Sequence, residues 1–405
     1  MFKYCCAVLF VVLSTCLFAK EKSLPELHIY HDSDYSTHRQ SAVAIKMGFL
    51  TALDEVDNQA QGYKIKLLSR DHRGNSNRSF LNFKRFLKDP SGLFVLGGLH
   101  SPPYIKYREF INTNQIPLLV PWAAGGPITR YDEGENWVFR LSVDDTKAGI
   151  KLVEFANQRA CKNPHLFLER TPWGKSNYKS IGKALGNPEA TVTWFDWGMK
   201  ESSAKIHIRE MLAKDSGCIL FVGNAIEGKQ LVSAMADYPE EQRIPIISHW
   251  GITGGDFFQQ AKVDLASGID LHFIQSCFSF QRRPLSGQAV KVWNNAKRMF
   301  PDEFAERDFL FAPTGFIHGY DLAKVALAAI EQIKLTGDMS KDRAEFRRAL
   351  EQLDKPVKGL IKTYQNPYSK WSKQNPDAHE ALGIGDLCMA YFESNGSTKV
   401  LVGNP

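Results

Sequence analysis

The stretch Glu169-Arg-Thr-Pro-Trp-Gly-Lys-Ser-Asn177 joins an apolar run, HLFLE, to a helical pattern. Gly-Lys-Ser at the start of a helix is how a phosphate-binding loop ends, and the first glycine of such a loop lets the backbone fold around phosphate oxygens. Glu169 occupies that first position here, a carboxylate that repels phosphate, and Pro172 removes a backbone donor. Nucleotide binding is therefore not expected. The other loops that follow β-rich runs are GGLHSPP, VPWAAGG, VGNAIEG and SHWGITGG. Three of the five carry a tryptophan at nearly the same place relative to the strand end, so Trp122, Trp173 and Trp250 are expected to face one common space. Indole faces there would stack on an aromatic solute or hold a cation, at roughly 0.5–2 kcal/mol per ring. A single tryptophan is more often core than ligand wall; the shared placement is what favours the wall.

Other candidate chemistry is thinner. Asp71-His72 and His379-Glu380 read as acid/base or metal fragments, but a zinc helix needs two histidines four residues apart with a nearby glutamate, and none occurs. There is no Gly-x-Ser-x-Gly elbow. His249 is expected to be structural, and Tyr35 in HDSDYSTH is a further ligand candidate set against an ordinary surface tyrosine. No enzymatic activity, cofactor or metal is expected.

Such loops need a scaffold that gathers them. From Leu27 the chain alternates β-rich runs with helical patterns: LHIYH, a helix over 42–58, YKIKLLSRD, a helix over 78–88, GLFVLGG, a helix after Pro103, and IPLLVPW. The alternation restarts after Asp144 with HLFLER, ATVTWFDW, CILFVG and IPIISHW, again separated by helices. Short βαβ units of this kind build parallel sheets covered by helices, with ligand loops at the carboxyl edge. At 405 residues two domains are expected, since one domain usually takes roughly 100–200. After GIDLHFIQSCFSF come helices over 286–299, 314–334 and 342–353, then the β-like VKGLIKTY and GDLCMAYFES.

Residues 1–19, with Lys3 ahead of an apolar stretch and a small residue before KEKS, have the layout of a secretory signal. LSTC is similar to a lipoprotein box and would place a lipid anchor on Cys16. Hydrophobic content of 43%, charge of 23% and a scattered net charge of +6 fit a folded protein without a nucleic-acid footprint. Beyond the signal, Cys161, Cys218, Cys277 and Cys388 remain, an even number for an oxidising compartment. Cys161 precedes one expected strand and Cys218 opens another, so neighbouring strand starts would let them pair. Cys277 with Cys388 is then the remaining pair, and free buried thiols are the alternative. Asn77 and Asn395 lie in sequences that match glycosylation acceptors.

Taken in order, LHIYHDSDY, AIKMGFLTALDEVDN, LGGLHSPP, IPLLVPWAAGGPIT, GYDLAKVALAAI and DAHEALGIG resemble the type I periplasmic solute-binding proteins of ABC importers, in the leucine/isoleucine/valine-binding branch. The resemblance covers nearly the whole chain after the signal. It implies two Rossmann-like lobes with parallel sheets, joined by three crossover strands around a ligand cleft. The lobes would comprise residues 24–141 with 279–358, and 142–278 with 359–400. It further implies a monomer in the periplasm that hands a small solute to an inner-membrane permease, or, as the alternative, a sensor subunit that presents its ligand to a receptor kinase.

By the same resemblance Ser101 supplies a hydroxyl to a ligand carboxylate, Trp122, Ala123 and Ala124 form the next ligand loop, and Trp173 is a ligand-facing aromatic. Ala124 stands where the family has a hydroxyl, Asn224 where it has a ring, and Trp250 where it has the acid that receives a ligand ammonium. A zwitterion without that counter-charge would face a desolvation cost of about several kcal/mol. With the segment NPYSKWSKQNPDAHEALGIGD, this points to an aromatic acid or quaternary amine before an amino acid.

Overall fold

The computed structural model describes residues 24–305 and 307–401. The signal over 1–19 and Cys16 lie outside the described residues. The strands are β1 (Glu26–Ser33), β2 (Gln59–Ala60), β3 (Tyr63–Asp71), β4 (Gly92–Leu96), β5 (Leu118–Val120), β6 (Val138–Arg140), β7 (Pro164–Glu169), β8 (Val192–Phe195), β9 (Cys218–Val222), β10 (Ile246–Ser248), β11 (Leu271–Ser276), β12 (Val357–Lys358), β13 (Thr363–Tyr364), β14 (Leu387–Phe392) and β15 (Thr398–Leu401). The helices are α1 (Arg39–Asp54), α2 (Ser76–Leu87), α3 (Pro102–Lys106), α4 (Arg108–Thr113), α5 (Asp145–Gln158), α6 (Pro172–Ala184), α7 (Glu201–Ala213), α8 (Ala225–Ala236), α9 (Phe257–Ala266), α10 (Gly287–Met299), α11 (Pro301–Phe304), α12 (Pro313–Gln332) and α13 (Met339–Glu351).

One sheet runs β2-β3-β1-β4-β5-β6 and the other β15-β14-β11-β10-β9-β7-β8. Their parallel cores, β3-β1-β4-β5-β6 and β8-β7-β9-β10-β11, share one strand order. Each therefore has a switch point, between β1 and β4 and between β7 and β9, where a crevice opens outside the carboxyl ends of the strands. β4 (GLFVL) and β9 (CILFV) are buried along their whole length, as expected of strands covered on both faces.

Local chemistry starts the helices where the loops need them. Thr171 accepts from the Gly174 amide and caps α6, while Asp144 caps α5 through the Lys147 amide. Pro172 opens α6, where its missing N–H costs nothing, so the residue that argues against a phosphate loop is a helix starter. The first sheet is covered by α1, α2 and the returning α10–α13, the second by α5–α9. The α1–α12 pairing needs backbone-to-backbone approach: a Cβ on Gly48 would lie 2.0 Å from the Phe316 carbonyl oxygen, and one on Gly319 2.5 Å from that of Ile45. Disulfides join Cys161 to Cys218 and Cys277 to Cys388.

One feature departs from the expected pattern. VFR, with no helix before it, forms β6 and pairs parallel to β5. VKGLIKTY, expected to be β-like, forms the two short strands of a tight hairpin, with Asp321 accepting from the amides of Leu360 and Ile361 and from the Tyr364 hydroxyl.

The chain passes between the sheets after β6, after β11 and through residues 365–386. The last passage lies along β6: the Arg140 amide donates to His379 O, and Ala381 N donates back to Arg140 O. Arg140 and the Glu380 carboxylate, both buried side chains, pair there at 2.6 Å. Glu380 also receives Thr129, Arg130 and Lys147. Removing one partner from a buried pair leaves an uncompensated charge, so Glu380→Ala should lower the unfolding free energy by about 3–5 kcal/mol. Denaturant titration checks this, and a loss below about 1 kcal/mol would contradict it.

Candidate functional site

The second switch point brings Glu169, the last residue of β7, beside the turn that follows β9. Asn224 Nδ2 donates to Glu169 Oε2 at 3.1 Å. Burial, with Glu227 nearby, pushes the Glu169 carboxyl up to about 8, so it is a neutral acid at pH 7. Trp173 sits in the first turn of α6, and its Nε1 donates to Asp145 Oδ1 at 3.0 Å; Asn177 Nδ2, one turn on, donates to the same oxygen at 2.7 Å. The Gly126 amide donates to Asp145 Oδ2 at 3.1 Å from the first lobe's side. Burial holds Asp145 up at about 7. These three donors occupy both oxygens, so Asp145 fixes the two lobes' loops rather than offering a free charge.

His249 follows β10, and its ring lies edge-on to Trp173 and to Trp250, with centroids 5.0 and 5.4 Å apart. Trp250 in turn meets His318, 5.7 Å away on α12 of the first lobe. His318 Nδ1 donates to the Pro121 carbonyl at 2.9 Å, which leaves its Nε2 as an acceptor in the neutral ring. Burial drives His249 down to about 3 and His318 to about 4, so both rings are uncharged. Trp122, next to Pro121, packs against α12, where a Cβ on Gly315 would lie 2.9 Å from its ring.

Around this junction several buried polar atoms have no hydrogen-bond partner, among them Trp122 Nε1, Asn177 Oδ1, both nitrogens of His249, Thr314 Oγ1 and His318 Nε2, with His249 Nε2 standing 3.7 Å from Asp145 Oδ1. Buried polar groups are normally hydrogen-bonded, and leaving one unpaired costs about 1–3 kcal/mol. Nearby the lobes interlock: Ser41 Oγ donates to Gly254 O, Gly126 N to Ser176 Oγ at 3.2 Å, and α3 packs on α6.

The expected site residues fall into groups. Trp173 and Trp250 meet through His249, and Trp122 stands on the first lobe's side of the same junction. Ala123 and Ala124 contribute carbonyls, to Arg140 Nη1 and to the Asp145 amide, rather than side chains. Ser101 Oγ accepts from Gly125 N at 3.0 Å and so supports that same loop. Asn224 is spent on Glu169. Tyr35 lies apart from the tryptophans, its hydroxyl bonded to His31 Nδ1 at 2.6 Å and to Ser69.

Sequence reasoning missed Asp145, Asn177, Thr314 and His318. The pair Asp144-Asp145 at the head of a helix was the available signal for the first; His318 and Thr314 lie inside an Ala/Leu-rich helical run with no local mark of a site.

No protein-family model and no curated protein matches this sequence. Solved structures do. A type 1 periplasmic binding protein from Bordetella pertussis Tohama I is similar over 93% of this chain and 99% of its own, with a TM-score of 0.75 at 15% identity. A solute-binding protein of an ABC transporter from R. palustris, in complex with benzoate, matches over 93% of this chain and 95% of its own, with a TM-score of 0.73 at 14% identity. A branched-chain amino acid transporter substrate-binding protein from Streptococcus pneumoniae, in complex with isoleucine, matches over 93% and 99%, with a TM-score of 0.71 at 16% identity. The fold is that of the type I periplasmic binding proteins, two lobes each built on a mostly parallel sheet. No helix among the described residues is long and apolar enough to cross a membrane.

The raised Glu169 carboxyl has a defined pH signature. The folded chain keeps a proton that the unfolded chain releases, so this contribution to stability is complete below the ordinary glutamate range and is lost as pH rises through about 8. Gln cannot titrate and still accepts from Asn224. Glu169→Gln should therefore raise the melting temperature relative to wild type at pH 8.5 by more than at pH 5; an equal difference at both pH values would rule out a raised carboxyl.

Proposed function

We propose that this chain is the extracytoplasmic solute-binding component of an ABC importer, a monomer that captures a small organic solute between its lobes and presents it to an inner-membrane permease. Export through the leader over 1–19 would place it in the periplasm. The lobes in this reading comprise residues 24–141 with 279–358, and 142–278 with 359–400. The observation that carries the proposal is the set of buried, unpartnered polar atoms at the junction. Trp122, Thr314 and His318 bring theirs from the first lobe, and His249 brings its pair from the second. A solute bonded to both sets favours the closed arrangement over the open one, and only that difference in contact moves the equilibrium.

The same groups bear on the class of solute. Both imidazoles are neutral, Asp145 is saturated by three N–H donors, and Arg140 is held by Glu380 and by loop carbonyls. A zwitterion would find neither a free anion nor a free cation there, whereas an aromatic ring finds Trp173 and Trp250 with neutral donors and acceptors around it. An aromatic acid is the favoured solute, with its carboxylate on neutral N–H and O–H donors. The benzoate and p-hydroxybenzoic acid complexes formed by proteins of this fold are in keeping with it.

A thermal-shift screen over aromatic acids, quaternary amines, fatty acids and amino acids should single out an aromatic acid, because a tight ligand raises the melting temperature by mass action. Calorimetry with that solute should show Trp173→Phe and Trp250→Phe weakening binding by at least about tenfold, or 1.4 kcal/mol. Tight binding of aliphatic amino acids alone would overturn the solute class. Unchanged affinity in both variants would overturn the site.

A further inference from the structure

A second cluster of chemistry lies at the first lobe's own switch point. The turn after β1 carries Asp34, the N-terminal cap position of α1 carries His38, and the loop after β4 carries His100. All three side chains are buried, and one donor atom from each lies within 4.8 Å of the other two. Asp34 Oδ2 stands 3.3 Å from His38 Nδ1 and 3.3 Å from His100 Nε2. These are long for charge-assisted hydrogen bonds, which run at about 2.7–2.9 Å. His38 Nε2, buried as well, has no partner at all. Hydrogen bonding within the trio therefore leaves it under-satisfied.

We propose that Asp34, His38 and His100 form a binding site for a divalent transition-metal ion of the zinc class. Edges of 3.3 Å belong to a tetrahedron whose centre lies about 2.0 Å from each corner, the length of zinc bonds to imidazole nitrogen and carboxylate oxygen. Two imidazoles and one carboxylate also select such an ion over calcium or magnesium, which take oxygen ligands.

The surroundings hold the donors in place. Asp34 Oδ1 accepts from the amides of Ser36 and Thr37, at 3.1 and 2.8 Å, which turns Oδ2 towards the two rings. His72, with its ring 5.7 Å from that of His100, accepts from Gly74 N through Nδ1. Its neutral ring then carries the proton on Nε2, so it is a neighbour and not a ligand. Three protein ligands leave a fourth position for water or solute. Trp197 reaches over from the second lobe, half-buried, with centroids 4.8 Å from His100 and 5.7 Å from His38. Gly74 makes room for it, since a Cβ there would stand 3.2 Å from the indole and 3.4 Å from Asp34 Oδ2. The trio has no helical histidine spacing, because its members come from two loops and a helix cap that meet only where β4 lies beside β1. The site does not depend on which solute the lobes capture.

Zinc titrated calorimetrically into the EDTA-stripped full chain should bind at one equivalent. His100→Gln and Asp34→Asn should each weaken it by at least about 100-fold, beyond what loss of an outer-sphere contact does, while His207→Gln on α7 leaves it unchanged. X-ray absorption of the zinc-loaded wild-type chain reads the donor set without any variant, and should show two imidazoles with oxygen ligands. Failure to bind one equivalent, affinity unaltered in both ligand variants, or a shell without imidazole would each overturn the proposal, and none of them touches the aromatic-acid reading.

Discussion

The buried guanidinium of Arg140 is the fixed point on which the junction depends. It bonds Glu380 on the returning chain, Thr129 Oγ1, and the carbonyls of Ala123 and Gly125. A buried ion pair is not by itself a source of net stability, since desolvation can consume its Coulomb gain, but breaking it is expensive and its directional bonds specify one arrangement. Here that arrangement sets the loop from Trp122 to Gly126 against β6 and presents the Gly126 amide to Asp145 and Ser176 in the other lobe. One side chain thus sets the register of the passage between lobes and the shape of the loop that follows β5.

The repeated strand order makes those loops meet. Each sheet collects its strand-end loops at one edge, and the three passages turn the two edges towards each other. The two crevices then differ in chemistry. The first lobe's crevice carries imidazoles and the ionisable Asp34; the second's carries the neutral acid Glu169 with Asn224. Specific contacts join the two edges, such as Ser41 with Gly254, Gly126 with Asp145 and Ser176, and Trp250 with His318.

Most of the scaffold was legible in the sequence because it is local. Apolar runs bounded by turn residues place β1, β3, β4, β7 and β9. β6 was not legible: VFR is three residues long and is a strand only because β5 and the segment 379–382 flank it. The three tryptophans stand out in the sequence by their loop positions, whereas the groups that lie between them carry no such mark. His318 is about 70 residues from His249 in sequence, and Asp145 meets Trp173 across a helix and a strand. His38 and His100 show the same limit, since their meeting depends on β4 lying beside β1 rather than on any spacing along the chain.

Burial without a free charge is the property that most constrains what the junction can hold. In a low-dielectric chamber an unpaired ion on the solute costs far more than a misplaced methyl group, so selectivity follows from which charges the chain has already neutralised. Asp145, Arg140 and Glu380 are matched within the chain, and Glu169 keeps its proton. What remains open are an indole N–H, a hydroxyl and two neutral imidazoles, groups that report shape and hydrogen-bond pattern instead of net charge. On the proposed reading, such groups discriminate a solute by the ring that stacks on the indoles and by the direction of a few hydrogen bonds.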